Sequence, residues 1–223
     1  MSDKTCTFLA EFFLRNRILF FLAAILGFII GGPFLDEIFR YRFLRDVLLT
    51  FIFVAGIFAI SRKRSHVFIA LGLAIPMVAG IWTYYWSENI RILMVGQIFG
   101  ALFAGFTISC LTSFIYNEKE VTKEVIYAAV AVYLLLAITW AFAYFILEYF
   151  SPASYSYPEG RPPDFYHFIY FSYVTITTLG YGDILPLTQK ASALAILEAV
   201  TGQMYLVVVV AWLVGMHVSR RKR

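Results

Sequence analysis

The stretch Thr175-Ile176-Thr177-Thr178-Leu179-Gly180-Tyr181-Gly182-Asp183 decides how this chain is read. Two glycines flank a tyrosine, and glycine reaches positive φ without steric cost, so a short run built this way can turn successive backbone carbonyls to one side. A lone Gly-Tyr-Gly would also suit an ordinary turn, and its flanks settle the matter. The apolar run 165–178 before it is too short to cross a hydrocarbon core of about 30 Å, whereas the run 191–218 after it is long enough. A short helix that enters a bilayer and turns back must bury its backbone in protein or line water. Pro162 and Pro163 end any earlier helix, and Asp164 stands where its carboxylate can accept from the free N–H groups of a helix start.

Composition places the rest of the chain in the same setting. The 223 residues are 61% hydrophobic and 14% charged, against roughly 25% charged for soluble domains. The apolar residues fall in continuous blocks rather than the alternation of a transmembrane barrel, so the expectation is an all-α membrane protein. Six spans are drawn at 18–35, 43–60, 67–86, 92–116, 125–147 and 191–218, with the re-entrant helix and its loop between the fifth and sixth. The second span is the weakest, because Arg45 and Asp46 lie near its start. No small-residue cleavage site follows the first block, so it is read as retained rather than as a signal peptide. The four spans of 1–120 form one unit and 121–223 a second.

Basic residues in short loops favour the cytoplasmic side. Lys4, Arg15 and Arg17 precede the first span, Arg62, Lys63 and Arg64 follow the second, Lys119 and Lys123 follow the fourth, and Arg220, Arg221, Lys222 and Arg223 come after the sixth. Both termini are therefore expected inside a cell membrane, with Arg40, Arg42 and Arg45 as the dissenting outer group. The net charge of +4 is explained by topology and anionic lipid, not nucleic acid. Cys6 and Cys110 give no disulfide framework. The histidines His66, His167 and His217 are scattered, and no nucleophile–base pair, metal-ligand cluster or phosphate loop is found. An enzyme is not expected, and no cofactor.

Thr178-Leu179-Gly180-Tyr181-Gly182-Asp183 resembles the potassium-channel signature Thr-Val-Gly-Tyr-Gly-Asp, with leucine for valine. The resemblance covers roughly 125–218. It implies a homotetramer in membrane lipid, with potassium ions as the permeant ligand. The carbonyls of Thr178, Leu179, Gly180 and Tyr181 and the Thr178 hydroxyl would replace the water of each ion. Thr177, Asp183 and Tyr170 would support the filter and its outer mouth. Tyr170-Phe171 stands where many relatives have Trp-Trp, which leaves the Tyr170 hydroxyl as the polar brace there or, equally, its ring as packing at a subunit contact; Val174 stands where some bacterial relatives have a glutamate facing the filter aspartate, so Asp183 needs another partner or water. Glu159 is read as a solvated loop charge.

In the sixth span, Gly202 occupies the position of a hinge glycine in such relatives; close packing against the short helix is an equal alternative. Helical spacing puts Gln203, Leu206, Val210 and Val214 on one face as pore-lining candidates, with Val214 as a hydrophobic gate. Glu198 points behind the filter, where it would brace the short helix. His217 at the inner end is read chiefly as an interfacial residue, less as a titrating sensor. The fourth span holds no basic residue after Arg91, so voltage dependence should be shallow. Its Gly96, Gly100, Ala101, Ala104 and Gly105 suggest close helix packing. The competing readings are a non-conducting subunit with a pore-like fold, and a membrane transporter or enzyme.

Overall fold

The computed structural model describes residues 16–39, 42–157 and 164–221. Lys4, Cys6, Arg15, Arg40, Glu159, Pro162, Pro163, Lys222 and Arg223 lie outside the described residues, as do the side chains of Arg42, His217, Arg220 and Arg221. Seven helices are seen among those described: α1 Arg17–Phe39, α2 Arg42–Ala59, α3 Arg64–Ser87, α4 Ile90–Asn117, α5 Lys123–Phe150, α6 Phe165–Ile176 and α7 Gln189–Arg221. Two short strands, β1 Tyr155–Ser156 and β2 Leu185–Pro186, pair antiparallel.

Four of the helices, α3, α4, α5 and the Gln189–Met216 part of α7, are long and apolar enough to cross a membrane. In α1 the stretch Arg17–Gly31 is apolar. Helix α2 carries Arg42, Arg45 and Asp46 in its 18 residues, which is why it fails the same measure. Local chemistry sets several of the starts. Asn89 caps α4 by accepting from Arg91 N–H at 3.0 Å, Thr122 caps α5 from Val125 N–H at 3.4 Å, and Thr188 accepts from Ala191 N–H at 3.2 Å at the start of α7.

Helix α1 packs on α2, α3 on α4, and both α1 and α4 lie against α5; α6 is wedged between α5 and α7. Glycine permits the tightest of these crossings. A Cβ built on Gly80 would lie 2.9 Å from the Gly96 Cα, so α3 and α4 meet backbone to backbone. Gly100 leaves room for the Phe142 ring, and Ala104 is buried. Gly105 does not share in this contact, since a Cβ there meets nothing within 4 Å.

Arg62 joins two connections at one end of the bundle, reaching Glu118 at 3.4 Å and Glu124 at 3.3 Å. The segment after α2 and the segment between α4 and α5 thus share an end. Arg45 belongs with the other group: its guanidinium meets Asp164 at 3.3 Å and covers the Tyr166 ring at 4.0 Å. A basic residue at odds with the loop pattern is therefore engaged by the start of α6.

Candidate functional site

Helix α6 starts at Asp164, whose Oδ1 accepts from the N–H groups of Tyr166 at 3.1 Å and His167 at 3.2 Å. Its 12 residues run Phe165–Ile176 between the caps Asp164 and Thr177, after which the backbone changes character. Thr178, Gly180 and Gly182 have φ of 61°, 60° and 76°, while Leu179 and Tyr181 between them do not have positive φ. A Cβ on Gly180 or Gly182 would meet nothing within 4 Å. Conformation, not space within the chain, is what calls for glycine there. The left-handed Thr178 is not evident in the sequence, and a β-branched residue in that region stores about 1–3 kcal/mol of strain.

The amides of this loop are tied to the end of α6. Thr178 N–H donates to the Thr175 carbonyl at 3.0 Å, and the N–H groups of Leu179 and Gly180 donate to the Val174 carbonyl at 3.0 and 3.2 Å. In a planar trans peptide the carbonyl of the preceding residue points opposite to the N–H, and no peptide bond here is cis. The carbonyls of Thr177, Thr178 and Leu179 are therefore turned away from α6. They face the open side of the loop, where every residue from Thr177 to Asp183 is exposed in the single chain.

Hydroxyl groups hold α6 in place from behind. Tyr133 of α5 donates to the Ile176 carbonyl at 3.1 Å, and Tyr173 donates to the Leu134 carbonyl at 2.9 Å. Thr177 turns its own hydroxyl back to the Tyr173 carbonyl at 2.6 Å. Glu198 of α7 is fully buried and bonded to both Ser172 of α6 and Tyr144 of α5, so one carboxyl group joins three helices. Ser172 also donates to the Ala137 carbonyl at 2.6 Å. On the open side, Tyr170 donates to Asp183 at 2.7 Å and lowers its carboxyl below the usual range. The strand pair of β1 and β2 then ties the segment after the loop to the one before α6.

Helix α7 turns Ala191, Glu198, Gly202 and Val209 inward. A Cβ on Gly202 would fall on the Ile176 side chain and 2.9 Å from the Ile176 carbonyl. Gln203, Leu206, Val210 and Val214 are all exposed; Val210 lies opposite that packed stripe, whereas Leu206, four residues after Gly202 and three before Val209, borders it. Tyr133, Tyr144 and Ser172 were not singled out by the sequence. Ser172 could have been, as the small polar residue one turn before Ile176 in an apolar helix. The two tyrosines give no such signal among the 15 in the chain.

Residues 127–218 match the model of a family described as "Ion channel". No curated protein matches the chain, and no solved structure matches it. The match spans α6, the loop and nearly all of α5 and α7, and it supports an ion-channel domain over that region. Together with the four helices among the described residues that are long and apolar enough to cross a membrane, it points to an integral membrane protein.

Proposed function

We propose that the chain is one subunit of a potassium-selective channel that conducts passively through a homotetrameric pore. One observation carries this reading: left-handed backbone alternates at Thr178, Gly180 and Gly182 while the amides of residues 178–180 are tied to α6. The result is a row of carbonyls facing away from the chain's own core. Dehydrating a potassium ion takes a ring of such oxygens, and a single chain provides one side of it. Repetition by symmetry closes the ring and covers the exposed side chains of Leu179 and Tyr181. The ligands we assign are the carbonyls of Thr178 and Leu179, which those amide bonds turn outward, and, by the resemblance to the potassium-channel signature, the carbonyls of Gly180 and Tyr181 and the Thr178 hydroxyl.

The surrounding parts suit the same task. The C-terminal end of α6 carries partial negative charge, and four such ends favour a cation below the filter. Asp183 keeps its charge at the outer mouth. Gln203, Leu206, Val210 and Val214 line the inner pore, with Val214 as its constriction and Gly202 at the bend. Six spans, α1 to α5 and α7, cross the membrane with both termini cytoplasmic. The four helices before α5 bear no row of arginines, so opening responds weakly to voltage.

The test is reconstitution of purified protein in liposomes with mixed potassium and sodium. Reversal potentials should follow the potassium gradient, and Gly180→Ala and Tyr181→Ala should each abolish that preference. Sodium permeation equal to potassium in the unmodified protein, or selectivity untouched in both variants, rejects the reading.

A further inference from the structure

A helix leaves its last four carbonyls without partners inside the helix. In α6 these belong to Tyr173, Val174, Thr175 and Ile176. The chain just beyond the helix answers three of them. Tyr173 accepts from the Thr177 N–H at 3.2 Å and from the Thr177 hydroxyl at 2.6 Å, Thr175 accepts from the Thr178 N–H at 3.0 Å, and Val174 accepts from the N–H groups of Leu179 and Gly180. Ile176 differs, because its carbonyl is met from another helix, by the Tyr133 hydroxyl at 3.1 Å and 43 residues away in sequence.

The surroundings of that bond are closely built. The Tyr205 ring of α7 stacks on the Tyr133 ring with centroids 6.0 Å apart and 25° between planes, and the Tyr205 hydroxyl donates to the Ala129 carbonyl of α5 at 2.7 Å. Gly202, one turn before Tyr205, lets α7 close over the same carbonyl, since a Cβ built there would lie 2.9 Å from the Ile176 oxygen. The Ile176 carbonyl and the Thr177 N–H belong to one planar peptide, held by Tyr133 at its oxygen and by the Tyr173 carbonyl at its N–H. That peptide is the first link between α6 and the outward carbonyls of Thr177, Thr178 and Leu179. Without the hydroxyl, the unmet carbonyl is drawn toward water on the open side of the loop. A planar peptide turns as a unit, so the Thr177 N–H would leave Tyr173 and the row would lose its fixed starting point.

We propose that Tyr133 is a positioning residue for ion selection, its hydroxyl locking the Ile176–Thr177 peptide so that the carbonyls after it keep one spacing. It acts through the backbone and touches no ion. The effect on ions rests on the channel reading; the hold on the loop does not.

The experiment compares Tyr133→Phe with Tyr205→Phe in the full chain. Each deletes a hydroxyl that donates to a backbone carbonyl and keeps the stacked ring, but the Tyr133 hydroxyl serves the loop and the Tyr205 hydroxyl serves α5. Amide hydrogen exchange in nanodiscs, followed over residues 177–180, should run roughly tenfold faster in Tyr133→Phe and at the original rate in Tyr205→Phe. Reversal potentials in liposomes with mixed potassium and sodium should show the potassium preference reduced several-fold in Tyr133→Phe and retained in Tyr205→Phe. A general loss of packing moves both variants alike, so equal change in the two overturns the proposal. Unchanged exchange in Tyr133→Phe overturns it as well, as does faster exchange with the potassium preference retained. Sodium passing as readily as potassium in the unmodified protein rejects the channel reading, and exchange alone then decides whether Tyr133 holds the loop.

Discussion

The Tyr170 hydroxyl donates to Asp183 Oδ2 at 2.7 Å, joining the middle of α6 to the residue that follows the last glycine of the loop. This bond is the main cause of the lowered carboxyl pKa of Asp183, and it outweighs the small opposing effect of burial. Tyr170→Phe should therefore return Asp183 toward its ordinary range. A carboxylate with a depressed pKa keeps its charge to lower pH, so on the proposed channel function the variant should lose conductance to acid at a higher pH than the unmodified protein. It should also lose current a few-fold faster under sustained opening, since one tie on the loop is gone. Acid titration of single-channel conductance checks the first effect. An unshifted titration would mean that the Asp183 charge does not act on permeation.

Glu198 raises a matter of proton counting. Ser172 has one hydroxyl proton, and its oxygen contacts two acceptors, the Ala137 carbonyl and a Glu198 oxygen, while Tyr144 donates to the other Glu198 oxygen. The count closes when Ser172 donates to Ala137 and a protonated Glu198 donates to Ser172. Glu198→Gln supplies the same donor and acceptor in nearly the same volume, and it should leave thermal stability close to the original. Glu198→Ala strands the buried Tyr144 hydroxyl beside a cavity, while Ser172 keeps its bond to Ala137, and should cost on the order of 3 kcal/mol. Melting of the purified protein by intrinsic fluorescence compares them. If glutamine proves as damaging as alanine, the carboxyl group is ionised and the proton count is wrong.

How much of this could be read in advance follows from which interactions are local. The cap at Asp164, the short α6 and the positive φ of Gly180 and Gly182 depend on neighbours in sequence, and each was legible. The partner of Asp183 was within reach too, because Tyr170 was the polar group left where the resemblance has a Trp pair. The strained Thr178 was not legible, since alternation of the backbone, rather than residue type, imposes it. The hydroxyl ties of Tyr133 and Tyr144 join residues far apart in the chain, and many tyrosines could have made them. The ion pair of Arg45 with Asp164 is of the same long-range kind. The Gly80–Gly96 approach was half legible: the small residues of α4 were noted, but their counterpart in α3 was not.

Gly202 bears on whether the inner helix bends or simply packs. A Cβ there would collide with the Ile176 side chain and press on its carbonyl, the one that accepts from Tyr133. Gly202→Ala should therefore push α6 and lower the melting temperature. Adding Ile176→Ala should recover part of that loss, because the side-chain clash goes while the 2.9 Å approach to the carbonyl remains. A double-mutant cycle measures the coupling, expected to be on the order of 1 kcal/mol or more. Purely additive effects would leave packing without support and favour a role in bending.

Asp164 supplies a dependence on pH whose sign can be worked out. Burial alone would raise its pKa, but the His167 hydrogen bond, followed by the charges of His167 and Arg45, carries it down from 3.8 to about 2. The carboxyl side chain is 22% exposed, so solvent screens these partners only in part. For a carboxyl group with a depressed folded-state pKa, the stabilising contribution is complete above the unfolded value and disappears as pH falls through the folded one. Its size here is on the order of 2 kcal/mol. Asn is also a good helix cap, so Asp164→Asn removes the charge pairing while leaving α6 capped. The stability difference between the two proteins should be full at about pH 5, where the imidazole partner still carries its charge, and shrink toward zero near pH 2. Thermal unfolding across that range in an acid-stable detergent reads it directly. A difference that widens on acidification would reverse the sign and mean that Asp164 is stabilised in its protonated form. No difference at pH 6 would mean that the pairing with Arg45 and His167 contributes nothing to holding the start of α6.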